Sequence, residues 1–167
     1  MCRMIKCCIQ LGSVPEITGL VDMTPVDYVS QAIVYLSQQK ESIGEVFHLL
    51  NPHPIKLEEL MGWVRSYGYP LRLVAYEEWR QELITAAKHS PDATLYSLLP
   101  LFPENRSKNQ ISIEESLSQS KMTQFDCQNT QGKLADTSIV CPAIDDELLK
   151  NYFSYFTHHG FLNYPHL

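Results

Sequence analysis

Six histidines, five cysteines and nineteen carboxylates are the groups in this chain able to do chemistry, and their spacing narrows what they can do. His158 and His159 are adjacent, so on a helix they point about 100° apart and make a poor metal pair. Asp145 and Asp146 fit a helix cap and a first-turn charge better than a catalytic carboxylate pair. Cys7 and Cys8 have only Lys6 nearby as a positive charge, and a reactive thiol needs an electropositive site. They fit a buried helix face. His48 lies inside an apolar run and reads as a hydrogen-bonded core histidine. No metal ligands and no catalytic residues are assigned. Three residues remain as substrate-binding candidates. Tyr76 and Trp79 offer aromatic walls with polar tips, suited to an acyl chain; plain packing is their other reading. Asn51 stands just past the carboxyl end of an apolar run, where open α/β sheets place ligands. Its other reading is a turn residue before Pro52.

The elements that must position these groups centre on residues 19–52, which read as strand, helix, strand. Residues 20–23 are a short apolar strand. Thr24 is a suitable N-cap and Pro25 fits a first helical position, followed by the dipole-favouring Asp27. Val26, Val29, Ile33 and Leu36 recur at helical spacing and predict the buried face. Residues 46–50 form a near-continuous apolar run, the pattern of a parallel strand buried on both faces. Before this unit, residues 1–11 read as helix stopped by Gly12, and residues 14–17 as a link. After it, Leu57, Leu60, Met61 and Val64 stripe a helix ended by Gly68. Residues 71–76 are a candidate strand, and a helix runs from Glu77 to about Lys88. A short apolar helix follows to Phe102. Residues 103–143 are polar and long for a structureless loop; they read as a flexible segment, either a movable lid or a spacer. Asp145 caps a last helix bearing Leu149, Tyr152, Phe153 and Phe156, and Gly160 ends it.

Composition excludes some classes. The formal charge is −6 with no basic run, so nucleic acid is not an expected partner. No apolar stretch approaches the roughly 20 residues of a membrane span. The first residues are too short and too charged for a signal peptide. An odd number of cysteines without a CxxC pair points to reduced thiols and a cytoplasmic setting.

One order of motifs carries a resemblance. Thr24-Pro25-Val26-Asp27-Tyr28-Val29 precedes Val46-Phe47-His48-Leu49-Leu50-Asn51-Pro52. Trp63, Gly68-Tyr69-Pro70-Leu71 and Tyr76-Glu77-Glu78-Trp79 follow. The tail adds Phe125-Asp126-Cys127, Asn129-Thr130, Cys141-Pro142 and Gly160-Phe161-Leu162. This order resembles the C-terminal half of a thioester reductase domain. Such domains are extended short-chain dehydrogenase/reductases of nonribosomal peptide and polyketide synthetases and of carboxylic acid reductases.

The resemblance implies an α/β fold. Residues 1–55 would be the closing edge of a Rossmann-type parallel sheet, and residues 56–167 an α-rich substrate-binding lobe. It implies an NADPH-dependent reductase that releases acyl or peptidyl thioesters from a phosphopantetheinyl carrier protein as aldehyde or alcohol. The family's glycine-rich cofactor turn is missing among the seven glycines here. Its Tyr-x-x-x-Lys is missing too, since Tyr35 is followed four residues on by Gln39. The N-terminal nucleotide-binding half is therefore expected to be absent, with no cofactor bound by this chain alone and an upstream reductase half as its partner. The alternative is a non-catalytic remnant that binds an acyl chain or carrier protein, from a truncated or decayed reading frame. An unpaired sheet edge would favour self-association of the isolated chain.

Overall fold

The computed structural model describes residues 1–89, 93–102 and 125–165. Helix α1 (Cys2–Leu11) is stopped by Gly12, whose φ of 65° suits a residue without Cβ. That turn delivers the chain directly into strand β1 (Ser13–Pro15). Residues 14–17, read as a link, thus begin inside a buried strand. β1 pairs in parallel with β4 (Arg72–Val74), Ser13 opposite Arg72 and Val14 opposite Leu73. The Arg72 amide also donates to the Gly12 carbonyl at 2.9 Å. A second ladder joins β2 (Leu20–Val21) to β3 (Ile55–Lys56), and it is antiparallel. The parallel pair of this α/β fold is therefore β1–β4, not the two strands flanking the central helix.

Around the β1–β4 pair lie α1, α3 (Leu57–Ser66), α4 (Tyr76–His89), α5 (Ala93–Leu98) and α7 (Asp146–His158). The α3 stripe is as its spacing predicts, with Leu57, Leu60, Met61 and Val64 all buried. Asp145 caps α7, its Oδ1 accepting from the Leu148 amide at 2.9 Å. Phe153 of α7 is the hub of an aromatic cluster, with ring centroids of Trp63 at 5.0 Å and Tyr67 at 5.4 Å.

Trp79 occupies the centre of the main core with no exposed surface. Its Nε1–H donates to the Ser13 carbonyl at 3.3 Å, and its ring meets Phe102 edge-on at 4.9 Å. The Ser13 hydroxyl donates to the Glu82 carboxylate, and Arg72 donates to the same carboxylate at 2.9 Å. The Ser13 hydroxyl, with Arg72 beside it, holds the Glu82 carboxyl below its ordinary range.

The central helix departs from its expected details. Helix α2 (Val26–Ser37) opens after Pro25, and Thr24 does not cap it. The Thr24 hydroxyl donates instead to Asp22 Oδ1 at 2.7 Å. Its buried face is Tyr28, Ala32 and Leu36, while Val26 is 81% and Ile33 53% exposed. Apolar residues occupy most of the helix circumference, so periodicity alone left two faces available. The packing partners choose: Leu134 and Cys141 cover the Tyr28 side.

Residues 46–50 join no ladder among the described residues. The run is half-buried on one face, not buried on two: Phe47 and Leu49 pack on the α2 cluster, while Val46 and His48 are exposed. His48 is thus not a core residue, though its Nδ1 lies 3.0 Å from the Asp126 carbonyl oxygen. Of residues 103–143, those at 103–124 lie outside the described residues. Residues 125–143 carry a helix, α6 (Gln128–Leu134), with Thr130 and Leu134 buried. Both hydrophobic clusters draw residues from each side of residue 55.

Asn51 ends the run as a buried knot. Its Nδ2 donates to the carbonyls of Met23 at 3.0 Å and Pro142 at 3.1 Å. Its Oδ1 accepts from the His53 amide at 2.9 Å, and its own amide donates to Asp22 Oδ1 at 3.2 Å.

Two stability outcomes follow. Trp79→Ala removes a fully buried indole and should lower the unfolding free energy by about 3–5 kcal/mol in urea titration. Asn51→Ala leaves two carbonyls and an amide without partners and should cost about 1–3 kcal/mol in the same assay.

Candidate functional site

The three substrate-binding candidates do not meet. Asn51 commits both amide hydrogens and its oxygen to backbone groups. Trp79 is enclosed in the core, and Tyr76 beside it is 7% exposed. Among the described residues, none of the three lines the clefts at β1–α3, at α1–β2, at α1 and residues 160–164, or along α4. Trp79 and Tyr76 are packed into the core and Asn51 into a backbone turn.

The remaining chemical groups are also engaged structurally. Cys7 and Cys8 are fully buried; burial pushes the Cys7 thiol up to about 12 and raises Cys8 as well, so neither supplies a thiolate. Cys141 is pushed up to about 11, first by burial and then by Asp22 and its neighbours. His159 stacks on Tyr155 at 4.0 Å, with its Nδ1 3.0 Å from the Tyr155 carbonyl oxygen. Asp146 accepts from Trp63 Nε1 at 2.8 Å and pairs with Lys150. Among the described residues no three His, Cys, Asp or Glu side chains gather as a metal site.

What the fold does build is an apolar cleft of about 480 Å³. One wall is the first turn of α1, with Cys2, Arg3 and Met4. A second is Gly19, Leu20 and Val21 at β2, and a third is Leu98, Leu101 and Phe102. The walls follow from the core. Phe102 is fixed by the Trp79 ring and by Arg80, whose Nε donates to the Phe102 carbonyl at 3.0 Å. Val21 is buried while its neighbour Leu20 is 59% exposed and Leu101 52% exposed. Two large apolar side chains therefore stand open at one concave surface, a size and character suited to a small apolar ligand. Arg3 is the cation among the lining residues, and no acid–base pair lines the cleft. Its lining offers apolar contact and one cation. The sequence reading missed it because its residues come from three separate segments. The available signal was Leu20 beside Val21, since adjacent strand residues face opposite ways and cannot both enter one core.

Among the described residues, no strand-to-helix turn fits a dinucleotide. The three such turns, before α2, α3 and α4, carry Asp27, Glu58 with Glu59, and Glu77 with Glu78 in the first helical turn. None contains a glycine, and acidic first turns repel a pyrophosphate where a Rossmann turn would attract it.

Comparison with known proteins is consistent with this geometry. No family model matches the chain. A linear gramicidin synthase polypeptide of Brevibacillus parabrevis is 30% identical over 162 residues, covering 96% of this chain and 3% of that protein. The crystal structure of the terminal R domain from the myxalamid PKS–NRPS pathway superposes with a TM-score of 0.84 at 37% identity. That match covers 99% of this chain and 40% of the solved one. An archaeal thiolation–reductase di-domain of a nonribosomal peptide synthetase shares the fold at TM-score 0.67 and 22% identity, over 95% of this chain and 30% of its own. The chain thus spans well under half the length of each. By sequence and fold, these 167 residues belong to the terminal thioester reductase domains of nonribosomal peptide and polyketide synthetases, as a segment matching the C-terminal part of such a domain.

Proposed function

We propose that this chain is the substrate-binding part of an NADPH-dependent thioester reductase. Its acyl or peptidyl substrate arrives on the phosphopantetheine arm of a carrier protein and leaves as aldehyde or alcohol. NADPH and the catalytic Tyr-x-x-x-Lys belong to an upstream reductase half that these residues do not include. The observation that carries this reading is the apolar cleft between α1, β2 and residues 98–102, in a chain that folds like a terminal reductase domain. A carrier protein as donor is supported by the thiolation domain joined to the archaeal relative. Five free thiols support a reducing, cytoplasmic setting. No helix among the described residues is long and apolar enough to cross a membrane.

A second reading has a specific observation behind it. The absent Tyr-x-x-x-Lys and the acidic helix starts favour binding without chemistry when these residues act alone. Both readings use the same cleft, and its occupancy is the first test. Calorimetry with an octanoyl-pantetheine thioester should show saturable binding. Leu20→Glu and Leu101→Glu should each weaken it by about tenfold or more, the effect of about 1.4 kcal/mol. Val140→Glu, at an exposed site away from the cleft, should leave it unchanged. Equal affinity in all four proteins, or no binding at all, overturns the cleft assignment.

A further inference from the structure

The apolar cleft between α1, β2 and residues 98–102 carries one charge that no described residue neutralises. The other arginines among the described residues are committed. Arg65 Nε donates to the Leu71 carbonyl at 3.0 Å, and Arg80 Nε donates to the Phe102 carbonyl at 3.0 Å. Arg72 donates to the Glu82 carboxylate at 2.9 Å. Arg3 stands apart. Among the described residues its side chain has no hydrogen bond, ion pair or ring contact. It is exposed, and it lines the cleft from the first turn of α1. No aspartate or glutamate is among the lining residues. Lys6, one turn further along α1, sets its ammonium 5.0 Å from the centre of the Phe161 ring and lines a different cleft.

A guanidinium offers a planar fork of N–H donors that meets carboxylate or phosphate oxygens two at a time. It is also weakly hydrated, and its stem lies readily on apolar surface, so it suits a wall shared with Met4 and Leu20. Because Arg3 is exposed, an anion paired with it keeps contact with water, and the desolvation cost of a buried ion pair does not arise. The chain as a whole carries a formal charge of −6, so an anion is favoured only where the local field is positive. Apolar walls with an unused fork at their exposed side describe a receptor for an amphiphile with one charged group.

We propose that the cleft selects a thioester bearing an oxyanion group, and that Arg3 is the specificity-determining residue that pairs with it. This rests on the cleft reading above and adds the charge of the ligand. The oxyanion has two chemical sources in such a substrate: the phosphate of the phosphopantetheine arm, or a carboxylate on the acyl chain. The same fork meets either, and either leaves the apolar part of the ligand to Leu20, Leu101 and Phe102.

Calorimetry on the full chain compares three probes. Octanoyl-pantetheine is neutral, octanoyl-4′-phosphopantetheine carries its charge on the arm, and the pantetheine monothioester of octanedioic acid carries it on the acyl chain. At least one charged probe should bind about fivefold or more tightly than the neutral one. A gain for the phosphate or for the carboxylate identifies the source, and either supports the proposal. Arg3→Gln should erase the ratio, and Arg3→Lys, which keeps the charge but not the fork, should retain part of it. Both variants should melt at the temperature of the unsubstituted chain, since Arg3 has no partner to lose among the described residues. Raising sodium chloride from about 0.05 M to about 0.5 M should shrink the ratio in the unsubstituted chain. Three results overturn the proposal: equal affinity for all three probes, a preference for charge that survives in Arg3→Gln, or no binding of any probe. Equal affinity removes only the role of Arg3 and leaves the cleft reading standing, whereas no binding of any probe removes both.

Discussion

The fixed point of the structure is the contact of Trp79 with β1. The indole N–H satisfies the Ser13 carbonyl, a buried acceptor on the strand that Gly12 delivers from α1. One turn further along α4, Glu82 accepts from Ser13 and from Arg72. Ser13 and Arg72 are themselves opposite each other in the parallel ladder. One helix thus binds both strands at a single register position. A ladder of three residues per strand has little stability of its own, so this cross-tie, together with burial of the indole, holds α1, β1, β4 and α4 as one unit. The same indole fixes Phe102, and Phe102 is a wall of the apolar cleft. Core packing and the binding surface are therefore one construction.

The second anchor is Asn51. Its amide ties the end of β2 to residue 142, after α6, and to the run at residues 46–50. It stands where an open α/β sheet would place a ligand-binding residue, but its side-chain amide is committed to backbone groups. Position in the chain was legible; occupation of the side chain was not, because its partners lie 28 and 91 residues away.

The same distinction explains how much of the fold was readable. Helices α1, α3, α4 and α7 show in their apolar spacing, and the Gly12 stop and the Asp145 cap are local chemistry. The candidate strand at residues 71–76 contains β4. Periodicity failed for α2, because a helix apolar on several sides takes its buried face from its neighbours. It failed for residues 46–50, because an apolar run says that a strand is wanted and not which edges are filled. For Trp79 and Tyr76 the sequence left two readings, since an aromatic residue packs a core as readily as it lines a pocket. The cleft was invisible for a related reason: each of its walls is a fragment of an element whose other residues are in the core.

Acidic helix starts and a cleft without acid–base groups fit the division of labour proposed above, in which these residues hold the acyl group and the hydride chemistry comes from the part of the reductase domain that the chain does not match. NADPH absorbance followed with an octanoyl-pantetheine thioester tests that division directly. The chain alone should oxidise no NADPH, and the chain joined with the unmatched portion of the reductase domain should oxidise it in step with thiol release. Turnover by the chain alone, or a stable joined complex that releases no thiol, would contradict the account.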